Sequence, residues 1–266
     1  MSLAENIDEA VLIEERDAQG VLRLIMNRPA QRNALSMELM AALIAALDRA
    51  GADTETRVIV IAGNGVGFCP GHDLREMISE PSGEAYAQIF DRCSEMMQKI
   101  VRLAKPVIAE VHGIATAAGC QLVASCDLAV AADDAKFATS GINVGLFCST
   151  PMVALSRAVP RKAAMEMLLT GDFIDAPRAQ AIGLVNKVVP AAGLRAATDT
   201  LARKIAAKSA MAIALGKTAF YRQIEMNLTD AYAYTSEVMT RNMLAHDAEE
   251  GIDAFIAKRK PVWRDE

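Results

Sequence analysis

At 266 residues, 52% hydrophobic and 23% charged, the chain has material for a sizeable core and is unlike a disordered segment. A net charge of −5 argues against a general nucleic-acid binder, which would carry a basic stripe, yet leaves room for a few Arg or Lys residues to meet a phosphorylated ligand. No window approaches the roughly 18 uninterrupted apolar residues of a membrane span, so no membrane span is expected.

In chain order, Val11-Leu12-Ile13 and Val21-Leu22-Arg23-Leu24-Ile25, split by Asp17-Ala18-Gln19-Gly20, read as a hairpin. Ser36 caps a helix reaching Ala50, with Leu39, Leu43 and Leu47 on one face. Val58-Ile59-Val60-Ile61-Ala62 is a continuous apolar run, as in a strand buried on both faces. After the turn Gly63-Asn64-Gly65-Val66-Gly67, an amphipathic helix runs from about Glu84 to Leu103 and stops before Pro106. Pro106-Val107-Ile108-Ala109-Glu110-Val111 and Leu128-Ala129-Val130-Ala131 are further buried strands, with a helix of small residues between them. From Asp175 the pattern is almost wholly helical, broken by Leu184-Val185-Asn186-Lys187-Val188-Val189, and ends in three or four helices. Alternating strand and helix predicts an α/β fold with a mostly parallel sheet.

The five cysteines, Cys69, Cys93, Cys120, Cys126 and Cys148, are odd in number and form no Cys-x-x-Cys pair, which suits buried thiols in a reducing cytosol and offers no metal site. The opening Met1-Ser2-Leu3-Ala4-Glu5 has neither a secretory pattern nor the Arg-rich character of a mitochondrial transit peptide. A cytoplasmic location is therefore expected. His112 and His246 read as structural. Gly63-x-Gly65-x-Gly67 lacks dinucleotide-binding spacing, and no Gly-x-Ser-x-Gly elbow is present. In the loop Gly67-Phe68-Cys69-Pro70-Gly71-His72-Asp73-Leu74, backbone N–H groups between a buried strand and a helix are free to meet a ligand. Arg28 and Arg32 place two positive charges ahead of the first helix, taken alone an ordinary surface feature.

The segment Gly113-Ile114-Ala115-Thr116-Ala117-Ala118-Gly119-Cys120-Gln121-Leu122-Val123-Ala124-Ser125-Cys126-Asp127 resembles the heart of the crotonase superfamily, the enoyl-CoA hydratases and isomerases, and the likeness extends from Val11 to Trp263. It implies a ββα spiral core over residues 1–195, a helical assembly segment over 196–266, and trimers, often paired into hexamers. It implies lyase or isomerase chemistry on an acyl-CoA thioester, with no cofactor beyond the coenzyme A of the substrate. By the same likeness, the N–H groups of His72 and Ala118 face the thioester oxygen. Arg28, Arg32 and Ala34 meet the nucleotide part, Pro70, Leu74 and Gly141 are further residues of the acyl-CoA site, and Cys148 faces the acyl group. Phe255 and Lys258 complete the coenzyme A site, sometimes across subunits.

Two positions depart from that pattern. Hydratases carry one catalytic Glu where this chain has Gln121 and a second where it has Gly141. An amide cannot exchange a proton as a carboxylic acid does, and glycine has no side chain. The resemblance therefore leaves three readings open: an acyl-CoA enzyme needing only the two N–H groups, such as a decarboxylase or thioesterase-like enzyme; a hydratase or isomerase using other groups; or a non-catalytic acyl-CoA binder. The His72 side chain is read either as a solvated loop imidazole or as a polar group beside the acyl site.

Overall fold

The computed structural model describes residues 10–266, so the opening Met1-Ser2-Leu3-Ala4-Glu5 lies outside the described residues. The hairpin is β1 (Leu12–Arg16) and β2 (Val21–Met26), paired antiparallel. Helix α1 (Met37–Ala52) is capped by Ser36, whose side chain accepts the Leu39 N–H. Then come β3 (Val58–Gly63), the short α2 (Leu74–Ser79), α3 (Gly83–Arg102) and β4 (Val107–Val111). Strand β5 (Ile114–Thr116) leads straight into α4 (Ala118–Ser125), followed by β6 (Leu128–Ala132) and β7 (Lys136–Ala138). Helices α5 (Pro151–Ala158) and α6 (Arg161–Thr170) precede β8 (Ile174–Asp175), α7 (Ala176–Ala181) and β9 (Lys187–Val189). The chain closes with α8 (Leu194–Ala206), α9 (Ala210–Gln223), α10 (Leu228–Met243) and α11 (His246–Ile256). No helix among the described residues is long and apolar enough to cross a membrane.

The main sheet has the order β1-β2-β3-β4-β6-β9 and is parallel from β2 onward. Strand β3 shows why its sequence is apolar throughout. Ile59 and Ile61 join the core beneath α1, α3 and α4, whereas Val58 and Val60 face the opposite layer with Leu194 and Ala202 of α8. Successive side chains of a strand point to opposite faces, and here both faces are covered. On the α8 side, buried Arg23 pairs with Glu110 of β4 at 2.7 Å and with Asp199 of α8 at 2.5 Å. This ion triad and the α8 packing place that helix in the core layer. The 195/196 boundary expected from the sequence falls inside the first turn of α8.

A second sheet, β5-β7-β8, was not legible in the sequence because its strands have three, three and two residues, too short to show a period. Helices α5 and α6 also lay outside the expected elements. Helix α9 is latched to the core by Lys217, which donates to Asp127 at 2.7 Å, and by the Tyr221 hydroxyl, which donates to the same carboxylate at 2.9 Å. Helix α10 has no buried residue in the single chain.

Candidate active site

The candidate site forms where the chain leaves the carboxyl ends of β3 and β4. The loop after β3 lies alongside β5 like an added strand. Phe68 N–H donates to the His112 carbonyl at 3.0 Å, Cys69 N–H to Ile114 at 2.9 Å, and Thr116 N–H to Cys69 at 3.0 Å. The Thr116 hydroxyl donates to the Pro70 carbonyl at 2.8 Å. This pairing carries the Cys69 carbonyl across the first turn of α4. Any Cβ at Gly119 would collide with that oxygen, so only glycine allows the approach.

The segment between β2 and α1 clamps the same loop from its other side. Leu35 N–H donates to Gly71 at 2.8 Å, and Asp73 N–H donates to Leu35 at 3.0 Å. Buried Asn33 donates to the Asn64 and Gly67 carbonyls, each at 2.9 Å. Arg28 donates to the Ala34 carbonyl at 2.5 Å and to Asp73 at 2.9 Å. Burial alone would raise the Asp73 pKa, but the Arg28 hydrogen bond and charge, with two backbone N–H donors, hold it below the usual carboxylate value. Arg28 is thus engaged in holding the loop, while Arg32 is exposed and has no ion pair among the described residues.

Two sequence-selected backbone donors come together. A Cβ on Gly71 would lie 3.3 Å from the Ala118 nitrogen, so the residue before His72 touches the start of α4. Neither the His72 N–H nor the Ala118 N–H has an acceptor among the described residues. Between them Ala117 holds φ 49° and ψ −118°, a conformation an L-residue rarely adopts. The His72 ring is not a solvated loop imidazole. Its Nε2 is buried without a partner, the ring meets Phe90 edge-on at 5.5 Å, and burial pulls its pKa down to about 4.

Gln121 is only 4% exposed, and its Oε1 lies 4.0 Å from the Cys93 thiol. Gly141 is enclosed differently. A Cβ there would collide with the Leu146 carbonyl and stand 2.9 Å from Cys148 Sγ. Burial raises the Cys148 pKa and the Gly141 N–H only partly offsets it, so the thiol stays protonated at neutral pH and is not a poised nucleophile.

The remaining sequence-selected residues are scattered. Leu74 opens α2 and is 57% exposed. Phe255, at the end of α11, is 85% exposed, and Lys258 follows it at φ 54°. The tail after α11 is tied near the amino end of β3, where Asp265 pairs with Arg57 at 2.5 Å, and to the end of α8, where Trp263 donates to the Ala207 carbonyl at 2.9 Å. No hydrogen bond or ion pair joins Phe255 or Lys258 to the 67–72 loop among the described residues. Sequence reasoning missed Phe90 and Cys93; the spacing of Ile89, Cys93, Met96 and Ile100 marks a buried face of α3 but not its neighbour. His112 does have a partner, the Gly65 carbonyl at 3.0 Å.

A family model described as enoyl-CoA hydratase/isomerase matches residues 16–266. Enoyl-CoA hydratase domain-containing protein 3, mitochondrial, of Xenopus laevis is 52% identical over 244 residues, covering 92% of this chain and 83% of the relative. The Homo sapiens protein of the same name is 48% identical, covering 94% and 83%. A crystal structure of an enoyl-CoA hydratase from Mycobacterium smegmatis superposes with a TM-score of 0.94 at 54% identity, covering 96% of this chain and 99% of that one. The vertebrate relatives are designated mitochondrial, which overturns the cytoplasmic location expected from cysteine usage and the opening residues. Thiols stay reduced in more than one compartment, so cysteine spacing could not make that distinction. Fold, motif and full-length similarity agree: the chain belongs to the enoyl-CoA hydratase/isomerase family, the crotonase superfamily.

Proposed function

We propose that the chain binds acyl-CoA thioesters, receives the thioester oxygen between the N–H groups of His72 and Ala118, and does not hydrate by the paired-carboxylate route. The observation that carries this reading is the pair of unclaimed N–H groups beside Gln121, which is neutral, with Gly141 closed to any side chain. Two fixed donors stabilise the charge that develops when the thioester becomes an enolate. Water addition needs two further acts, activation of water and protonation of the α-carbon, and neither Gln121 nor Gly141 performs them. Decarboxylation suits such a site, because departing CO₂ leaves its electron pair on the α-carbon without a protein base. No cofactor enters beyond the coenzyme A of the substrate. Of the two arginines, Arg32 is exposed without an ion pair among the described residues and meets the phosphates, while Arg28 keeps the loop in place.

Binding is tested by calorimetry with acetyl-CoA and acetoacetyl-CoA, followed by an activity screen over a panel of acyl-CoA thioesters. Heat with turnover supports the enzyme; heat without turnover on any thioester points to a non-catalytic binder. No heat at millimolar ligand overturns the reading. The assembly proposed is a trimer or a dimer of trimers, in which the partner covers apolar residues left bare here, among them Leu228, Tyr232, Met239 and Phe255. A light-scattering mass near that of one 28.5 kDa chain would rule this out.

A further inference from the structure

Helices α3 and α4 each have one part at the candidate site and their carboxyl end at the far side of the main sheet. Helix α3 sets Phe90 against His72 and Cys93 against Gln121, and its last turn reaches the chain entering β4. Helix α4 begins at Ala118, and its C-cap Cys126 leads through Asp127 into β6. At that far side one ammonium from α9 joins both helices. Lys217, its side chain 8% exposed, donates to the Ile100 carbonyl at 3.0 Å, to the Lys105 carbonyl at 2.9 Å and to Asp127 at 2.7 Å. Ile100 lies in the last turn of α3, where helical carbonyls run out of N–H partners and a cation is favoured. The Asp127 oxygen that meets Lys217 also accepts the Val107 N–H at 2.7 Å, and its other oxygen accepts the Tyr221 hydroxyl at 2.9 Å. Lys217 and Tyr221 are four apart and so share one face of α9.

Apolar burial does little to dock α9 in the single chain, since Ala219 is its one buried residue. Its place on the core is set by this polar node, in which removing one member of the ion pair strands the other. Close-packed helices move as rigid units rather than bending to absorb a shift. Helix α4 has eight residues, about 12 Å of length, so a shift of its Asp127 end is carried to the Ala118 N–H. A shift of the Ile100 end of α3 is carried to Phe90 and Cys93 in the same way. We propose that Lys217 is a positioning residue, which by holding the carboxyl ends of α3 and α4 from α9 sets the placement of the Ala118 N–H and couples helices α9–α11 to the candidate site. A ligand at the site and a partner on the bare face of α10 then bias the same docked state of α9 from its two sides.

Hydrogen exchange read by mass spectrometry on the full chain tests this, with the parent compared to Lys217→Met combined with Asp127→Asn, which removes both charges at nearly constant volume. Amides in the last turn of α3 and in α4 should exchange about fivefold faster or more, while β2 and β3 stay within about twofold. Acceleration confined to α9, or spread evenly over the chain, overturns the proposal, because either is what simple fastening would give. If the double variant does not fold, Tyr221→Phe keeps the ion pair and removes one hydrogen bond; it should give the same pattern at about twofold, and no change in α4 overturns the proposal. The ligand arm rests on the acyl-CoA reading above. Saturating acetoacetyl-CoA should slow exchange in α9 about fivefold in the parent and leave it unchanged in the double variant. Heat of binding without slowing at α9 in the parent overturns the coupling. Failure of acetoacetyl-CoA to bind overturns the acyl-CoA reading instead, and the ligand-free comparison still decides this proposal.

Discussion

The start of α4 and the turn around Gly141 are both places without a carboxylate, and they are built in opposite ways. At Gln121 the helix, the adjoining N–H donors and a side chain long enough to reach a ligand are all in place; only the head group is an amide. Around Gly141 the Leu146 carbonyl and the Cys148 sulfur occupy the space a side chain would need. The first region offers a side chain and free N–H donors, whereas the second has no room for a side chain. The α4 side, with its free N–H pair, is therefore the part we propose for ligand recognition.

The largest expected effect breaks that comparison at the level of rate. Crotonyl-CoA hydration by the unmodified chain should fall short of a two-carboxylate family member by about 10⁴-fold or more, since each lost group contributes about 10²–10⁴-fold and the two act as a unit. Gln121→Glu alone should recover little of it. Adding Gly141→Glu is not a simple repair, because the obstruction is backbone and cannot rotate away. That change should lower unfolding stability by about 2–3 kcal/mol in urea titrations. Gln121→Glu should cost only about 1–2 kcal/mol near neutral pH, for a buried carboxylate with no cation beside it. A robust hydratase rate in the unmodified chain, or a Gly141→Glu variant as stable as Gln121→Glu, would erase the distinction between the two regions.

A smaller effect sharpens the electrostatics of the α4 side. Burial holds His72 neutral down to about 4, against an ordinary value of 6.5. Between those values the unfolded chain binds a proton that the folded chain refuses, so stability present above pH 6.5 is lost as the pH falls toward 4. The slope from this one group should be no more than about 1 kcal/mol per pH unit, reduced by the partial exposure of the residue. Urea midpoints at pH 7 and pH 5 should differ less in His72→Phe than in the parent. Equal differences, or an imidazole NMR titration near 6.5, would mean that water reaches the ring.

The continuous apolar run at β3, the Ser36 cap and the amphipathic face of α3 were all readable, because each is a periodicity or a local hydrogen bond. The candidate site residues came from a motif, and the structure brings the residue before His72 against the start of α4, the helix that carries Ala118 and Gln121. What could not be read is what touches them across the fold. Nothing local says that Cys93 faces Gln121, that Arg28 is occupied by Asp73, or that Leu146 closes over Gly141. Those are tertiary contacts between residues with no shared pattern, and the short strands β5, β7 and β8 are too brief to announce themselves.

The smallest expected effect tests whether the α4 side holds strain for the sake of its N–H groups. Ala117 is a non-glycine residue at φ 49° and ψ −118°, held by its N–H donating to the Ala138 carbonyl at 3.0 Å and by its own carbonyl accepting Gln121 N–H at 3.0 Å. The turn at Gly141 has no counterpart; its positive φ falls on Gly145, where it costs nothing. Strain of this kind costs about 1–3 kcal/mol and persists where the surroundings over-determine it. Ala117→Gly releases it but gives back about 0.4–1 kcal/mol through the freer unfolded chain. The net expectation is a gain of roughly 1 kcal/mol, or a melting temperature about 2–4 °C higher for a chain of this size. Acetoacetyl-CoA affinity should weaken at the same time, because a looser Ala117 no longer fixes the Ala118 N–H beside His72. A variant that melts lower than the parent would show that Ala117 sits without strain, and the contrast between the two regions would then rest on packing alone.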